Sequence, residues 1–81
     1  KDVYEIYKPS DFLLMEEYPD KEFRLMRTID MRRHDIFPVC SEDNPFTGSF
    51  DGRFNGVYIK SGVSFVGFMH GGSISKLTLL R

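Results

Sequence analysis

The stretch NPFTGSFDGRFNG, at residues 44–56, constrains the fold of this chain more than any other part of the sequence. Three large rings and three glycines each recur at every fourth position of it: Phe46, Phe50 and Phe54, and Gly48, Gly52 and Gly56. Glycine makes a backbone permissive, whereas buried aromatic rings need close-packed neighbours. The fold must therefore reconcile a flexible backbone with bulky side chains.

Two interpretations of this segment remain open on sequence grounds. Asp51-Gly52 and Asn55-Gly56 are strong turn signals, and only Arg53 and Phe54 separate them, which favours a compact loop of successive tight turns. The alternative is one long strand, since the phenylalanines, the glycines and Tyr58 share a parity. Three glycines on one face would weaken such a strand. The rings then either pack into the core or line a groove that contacts a peptide.

The rest of the chain is predicted to be mainly β. From Glu22 onward, short apolar runs alternate with turn residues: EFRLMRTI, DIFPVC, GVYIK, VSFVGFM and SISKLTLLR. Five such strands are typical of a small β-barrel or sandwich. Residues 1–22 are predicted to form an N-terminal extension with a short helix at residues 10–18, capped by Ser10 and ended by Pro19.

Composition narrows the class of protein. The 81 residues fit one domain, the net charge of -1 gives no global attraction to nucleic acid or anionic membranes, and aromatic residues make up 15%. A single cysteine, Cys40, excludes an internal disulfide and favours a reducing, cytoplasmic setting. No apolar run approaches the ~20 residues of a membrane span. Because the chain opens at Lys1, we interpret it as a piece of a longer protein.

The residues of catalysis and metal binding do not form a recognised pattern. His34, Cys40 and His70 match no zinc spacing, and the segment GSFDGRFNG lacks the phosphate-loop spacing. The basic stretch RLMRTIDMRR is a candidate contact for an acidic peptide or RNA, but acidic residues interrupt it, which favours a solvated surface. We therefore expect no catalytic residues, no metal and no cofactor, and we expect neither a membrane nor a nucleic acid as the partner.

Two short motifs carry a family resemblance: GSFDG at Gly48–Gly52, and GVYI at Gly56–Ile59. This arrangement resembles the glycine-rich loop of CAP-Gly domains, with the divergent members found in a deubiquitinase most similar. The resemblance spans residues 35–80 and is strongest at 43–57. It implies a small antiparallel SH3-like barrel over residues 23–81, and it implies cytoskeletal or deubiquitinase-associated signalling.

The resemblance also implies a partner, with one departure. CAP-Gly domains bind acidic C-terminal tails, but their lysine and asparagine correspond here to Ser49 and Phe50. Losing the lysine removes a charge-assisted contact of roughly 1–3 kcal/mol, and the added ring suits a proline-rich segment.

The predicted function is that of a non-catalytic interaction module that binds a proline-rich or acidic peptide of a partner protein beside the Gly/Phe segment. The alternative is a structural domain that packs on a neighbouring domain of a larger cytosolic enzyme. The candidate peptide-binding residues are Phe46, Gly48, Ser49, Phe50, Asp51, Gly52, Arg53, Phe54, Gly56, Tyr58 and Phe68.

Overall fold

A computed structural model of the chain describes residues 2–81, and every strand pairing within the sheets of this range is parallel. The elements are β1 (Val3–Ile6), a 3-10 helix (Pro9–Leu13), α1 (Leu14–Glu17), β2 (Glu22–Leu25), β3 (Ile29–Asp30), β4 (Ser49–Asp51), β5 (Gly56–Tyr58), β6 (Ser73–Ser75) and β7 (Thr78–Leu80). The first sheet has the order β1-β2-β4-β6, and the second has the order β3-β5-β7.

The register shows that the chain winds as a parallel solenoid. Phe23 of β2 pairs with Phe50 of β4, which pairs with Ile74 of β6. In the second sheet, Val57 of β5 pairs with Ile29 of β3 on one side and with Leu79 of β7 on the other. Isolated parallel bridges continue the stacking between Val39 and Val66 and between Phe46 and Met69. Each coil thus lies on the previous one at the ~4.8 Å spacing of paired strands.

The predicted antiparallel SH3-like barrel is therefore wrong. The turn signals Asp51-Gly52 and Asn55-Gly56 do not close a hairpin, because the strands that they join, β4 and β5, lie in different sheets. Residues 44–58 are neither one long strand nor a compact loop. They form two short strands joined at a corner of the solenoid.

The interior is packed with aromatic rings. Four phenylalanine side chains, at positions 12, 23, 46 and 50, are fully buried, and Phe65 is nearly so. Phe50 lies at the centre of this cluster, with ring centroids 5.1 Å from Phe65 and 6.3 Å from Phe12. Burial of each ring contributes about 1.5–3 kcal/mol, so the phenylalanines of the glycine-rich segment mainly build the core.

The helical segment contributes to the same core. It was expected at residues 10–18 and is found as a 3-10 helix followed by α1, ending at Glu17. Its N-cap is Lys8 and not the predicted Ser10, because the Asp11 carboxylate accepts the backbone N–H groups of Tyr7 and Lys8. Phe12 and Met15 are fully buried, so this segment is part of the hydrophobic core.

Candidate binding surfaces

The glycines of the Gly/Phe segment allow neighbouring coils to approach each other. A Cβ atom at Gly48 would overlap the carbonyl oxygen of Lys21, and one at Gly52 would overlap that of Lys76. Gly56 is buried at the start of β5. These three predicted site residues therefore serve backbone packing, and they present no side chain to a ligand.

Two of the predicted peptide-contacting rings are part of the core. Phe46 and Phe50 have essentially no exposed surface, so neither has a surface with which to contact a peptide. Ser49 and Asp51 flank Phe50 in β4 and are half-buried. The carboxylate of Asp51 accepts the backbone N–H of Arg53 at 2.8 Å, which fixes the start of the turn that follows.

Phe54 differs from the other two phenylalanines, because 82% of it is exposed. It also has a left-handed backbone with a φ of 63°, and Arg53 before it has a φ of 50°. Such a conformation disfavours residues with a Cβ by about 1–2 kcal/mol each, and asparagine or glycine is the usual occupant. Burial of the ring does not compensate for this cost. A bulky exposed ring at such a position is a candidate for function.

Phe54 lies where the first sheet passes to the second, and the segments that follow β1, β2, β4 and β6 bring cationic and aromatic side chains to this corner. We name this the corner surface and define it by Tyr7, Arg27, Arg53, Phe54 and Lys76. The Lys76 ammonium lies 5.4 Å from the centroid of the Phe54 ring, and the backbone N–H of Phe54 donates to the carbonyl of Lys76 at 2.9 Å. The Arg53 guanidinium contacts the sulfur of Met26 at 3.2 Å.

The electrostatics of the corner surface connect Tyr7 with Arg53. The pKa of the Tyr7 hydroxyl is raised, first by desolvation and then by the neighbouring Glu5 carboxylate, and the charge of Arg53 opposes this rise. The ion pairs found within residues 2–81 include neither Arg27, Arg53 nor Lys76. Among the residues that the structure describes, the three cations of the corner surface thus have no carboxylate partner.

A cleft of about 230 Å³ adjoins the corner surface. Residues 7–9 form one wall and residues 27–30 form the other, so Tyr7 and Arg27 belong to both features. The cleft is smaller than the ~300–1,000 Å³ typical of small-molecule sites. Its size suits one side chain of a partner better than a cofactor.

The remaining predicted site residues lie elsewhere. Tyr58 is on the second sheet, where the Arg32 guanidinium lies 4.8 Å from its ring centroid. Phe68 is partly exposed near Met69, beyond the last buried residue of the core. The predicted set therefore divides into core and close-packing residues, the corner surface, the outer side of the second sheet, and one end of the solenoid.

That end carries a second exposed feature. Among the described residues, none after Phe65 is buried, although β6 and β7 continue the inward-facing rows of the core. Leu79, paired with the fully buried Val57, remains 38% exposed. We name this surface the open end, and its apolar members are Val66, Phe68, Met69, Ile74, Leu77 and Leu79.

Two features of residues 2–81 concern metal binding and thiol reactivity. No cluster of three or more His, Cys, Asp or Glu side chains suitable for a metal ion occurs in this range. The Cys40 thiol is buried, and its pKa is raised by that burial and then by Glu16. A raised pKa disfavours the reactive thiolate.

Comparison with known proteins identifies no relative. No family model, no curated protein and no solved structure matches this chain. The resemblance to CAP-Gly domains is therefore left without a supporting match, and the antiparallel barrel that it implied is replaced by parallel coils. In the part of the chain that the structure describes, no helix is long and apolar enough to cross a membrane.

The candidate peptide-binding residues predicted from the sequence did not include Tyr7, Arg27 and Lys76 of the corner surface, and Arg27 was interpreted as part of a solvated basic stretch. The available signal was a faint internal repeat, with apolar residues at Phe23, Phe50 and Ile74 at nearly regular intervals. Such a period of 20–50 residues is the signature of a solenoid. It would have placed the segments after residues 25, 51 and 75 at one corner.

Proposed function

We propose that this chain is a non-catalytic module of protein–protein contact that docks onto a neighbouring β-structured unit through the open end. This function corresponds to the structural alternative considered from the sequence. The observation that carries it is the uncovered apolar row at β6 and β7, which follows directly on the buried rows of the preceding strands.

The support comes first from the core. Phe50 has a neighbour on both sides in its sheet, Phe23 and Ile74, and is fully buried. Ile74 has such a neighbour on one side only and is half-buried. A contiguous exposed apolar surface of this kind marks an interaction site in folded proteins.

The backbone supports the same proposal. β6 and β7 are each the outermost strand of their sheet, so one edge of each strand presents N–H and C=O groups without a strand partner. Such edges are templates for the addition of another strand. A docked β-unit satisfies these groups and covers Ile74 and Leu79 at the same time.

The remaining parts of the proposal have narrower support. A non-catalytic role agrees with a buried, neutral thiol at Cys40, and a cytoplasmic location agrees with a single cysteine that forms no disulfide. A second candidate function is binding of a partner's peptide beside the Gly/Phe segment. The exposed ring of Phe54 favours this second candidate function, whereas Phe46 and Phe50 are buried and cannot contact the peptide.

The test is a concentration series followed by methyl NMR. Because an exposed edge also pairs with a second copy of the chain at high concentration, the resonances of Ile74 and Leu79 are expected to move as concentration rises. Leu79→Glu is expected to abolish this change. Leu13→Glu is the matched control, since Leu13 is similarly exposed (46%) in the helical segment. Equal effects of both variants, or an invariant spectrum, would contradict docking through the open end.

A further inference from the structure

The charges of this chain are segregated along its sequence. Every Asp and Glu lies at or before Asp51, and residues 52–81 carry Arg53, Lys60, Lys76 and Arg81 without one carboxylate side chain. We propose that the corner surface binds an extended acidic segment of another protein, with one aromatic residue of that segment against Phe54. This inference rests on the second candidate function and is independent of docking at the open end.

Phe54 occupies an unusual position for an aromatic residue. Its ring is almost fully exposed at a backbone conformation that suits asparagine or glycine. A ring at such a place contributes little to the core. Aromatic residues and arginine are enriched in protein interfaces relative to the rest of the surface, so its presence favours a contact with a partner.

The charged side chains beside Phe54 favour an acidic partner. Lys76 and Arg53 flank the ring, and neither is in an ion pair within residues 2–81. Each of the nearby carboxylates accepts a hydrogen bond inside the chain, and Asp30 is also in an ion pair with Arg32. Asp51 accepts the backbone N–H of Arg53, Asp30 accepts two side-chain bonds from Arg32, and Glu5 accepts the Tyr7 hydroxyl.

The cleft that adjoins the corner surface supplies a third cation. Its lining is Tyr7, Lys8, Pro9, Arg27, Thr28, Ile29 and Asp30, and the Asp30 carboxylate is paired with Arg32 at 2.8 Å. The Lys8 ammonium is paired with Asp11 at 3.1 Å, which leaves Arg27 as the cation able to bind a partner's carboxylate. An acidic segment that crosses the corner therefore meets Lys76, Arg53 and Arg27 in order.

An acidic protein segment fits this surface better than RNA. Electrostatic binding of nucleic acid depends on many phosphate contacts in a basic field. Here three cations without an ion pair among the described residues lie at one corner of a chain whose net charge is -1. A few carboxylates and one aromatic side chain match that surface in number and in chemistry.

The experiment is an NMR titration of the whole chain labelled with nitrogen-15. The probes are a short peptide of glutamates around one phenylalanine, the same peptide with serine in place of the phenylalanine, and oligouridylate. The first peptide is expected to shift the amides of Arg53, Phe54 and Lys76 saturably, and the serine peptide is expected to bind about tenfold more weakly. Added salt is expected to weaken both.

Phe54→Asn separates binding from folding, because asparagine suits the left-handed backbone. This variant is expected to keep the fold and to lose binding by about tenfold or more. Phe68→Asn removes another exposed ring away from the corner and is expected to bind normally. Unchanged binding by Phe54→Asn, no binding by the original chain, or stronger binding of oligouridylate would each overturn the proposal.

The open end provides a further comparison. Leu79→Glu is expected to bind the acidic peptide as the original chain does, because Leu79 is not part of the corner surface. If Leu79→Glu loses self-association and still binds the acidic peptide, the open end and the corner surface are two independent surfaces. If the original chain self-associates but does not bind the acidic peptide, the proposed binding at the corner surface is contradicted and docking through the open end is not.

Discussion

The side-chain amide of Asn55 donates a hydrogen bond to the carbonyl oxygen of Leu25 at 2.9 Å, one coil earlier in the solenoid. Beside it, the backbone N–H of Gly56 donates to the Thr28 hydroxyl at 3.0 Å. The Asn-Gly pair, which predicts a hairpin in the sequence, therefore links successive coils at the corner. These two hydrogen bonds join residues 55 and 56 to residues 25 and 28, which are far apart in the sequence.

This geometry predicts a stability loss for Asn55→Ala. The change leaves the partly buried Leu25 carbonyl without its donor, which costs about 1–3 kcal/mol of the free energy of unfolding. Asn44→Ala is the matched control, since the Asn44 amide also donates to a backbone carbonyl, that of Glu16, at 2.9 Å, but at an exposed site. Urea unfolding curves compare the two. Equal losses would argue against a special role of the corner bond.

A second prediction concerns the close contact between coils at Gly52. A Cβ atom there would overlap the carbonyl oxygen of Lys76 and approach the Cα atom of Leu77 to 2.7 Å. Gly52→Ala is therefore expected to lower the free energy of unfolding by about 1–3 kcal/mol or more. Gly71→Ala isolates the backbone effect, because Gly71 has a φ of 74° with open space around it. We expect a loss of about 1–2 kcal/mol for that control, and a smaller loss for Gly52→Ala would contradict the packing argument.

The local elements were partly predictable from the sequence. The alternation of Phe23 and Leu25 with charged residues predicts the strand that is found as β2, and the helical segment was placed within one residue of its observed bounds. Both features depend on local patterns of side chains. Such patterns are informative because each strand or helix buries one face.

The direction of strand pairing was not predictable in the same way. Short apolar runs separated by turn residues are common to antiparallel barrels and to solenoids. The two folds differ in which strands become neighbours. Here Phe50 pairs with Phe23 and Ile74, which are distant in sequence. The exposure of Phe54 could not be predicted either, since its four-residue spacing matches that of the buried Phe46 and Phe50.

A third prediction follows from Asp30 and Arg32. The pKa of the Asp30 carboxyl is lowered to about 2, first by the side-chain hydrogen bonds from Arg32 and then by the Arg32 backbone N–H. A carboxyl with a lowered pKa in the folded state stabilises that state above its unfolded pKa, and this contribution is lost as the pH falls through the folded value. Stability is therefore expected to decrease between about pH 4 and pH 2.

Carbon-13 NMR of the carboxyl groups, together with thermal melts over this pH range, tests the prediction. The Asp30 resonance is expected to titrate near pH 2, and Asp30→Asn is expected to reduce the decrease in stability on acidification. A midpoint close to the ordinary pKa of aspartate would show that the bonds to Arg32 do not persist in solution.

The last prediction compares two phenylalanines that lie four residues apart. Phe50→Ala removes a ring that packs against Phe12 and Phe65, so a loss of about 3–5 kcal/mol is expected. Phe54→Asn removes an exposed ring and relieves a left-handed backbone, so an unchanged or higher stability is expected, by up to about 1 kcal/mol. Thermal and urea unfolding measure both. A large loss for Phe54→Asn would show that its ring supports the fold through Lys76, and the corner surface would then be a structural contact.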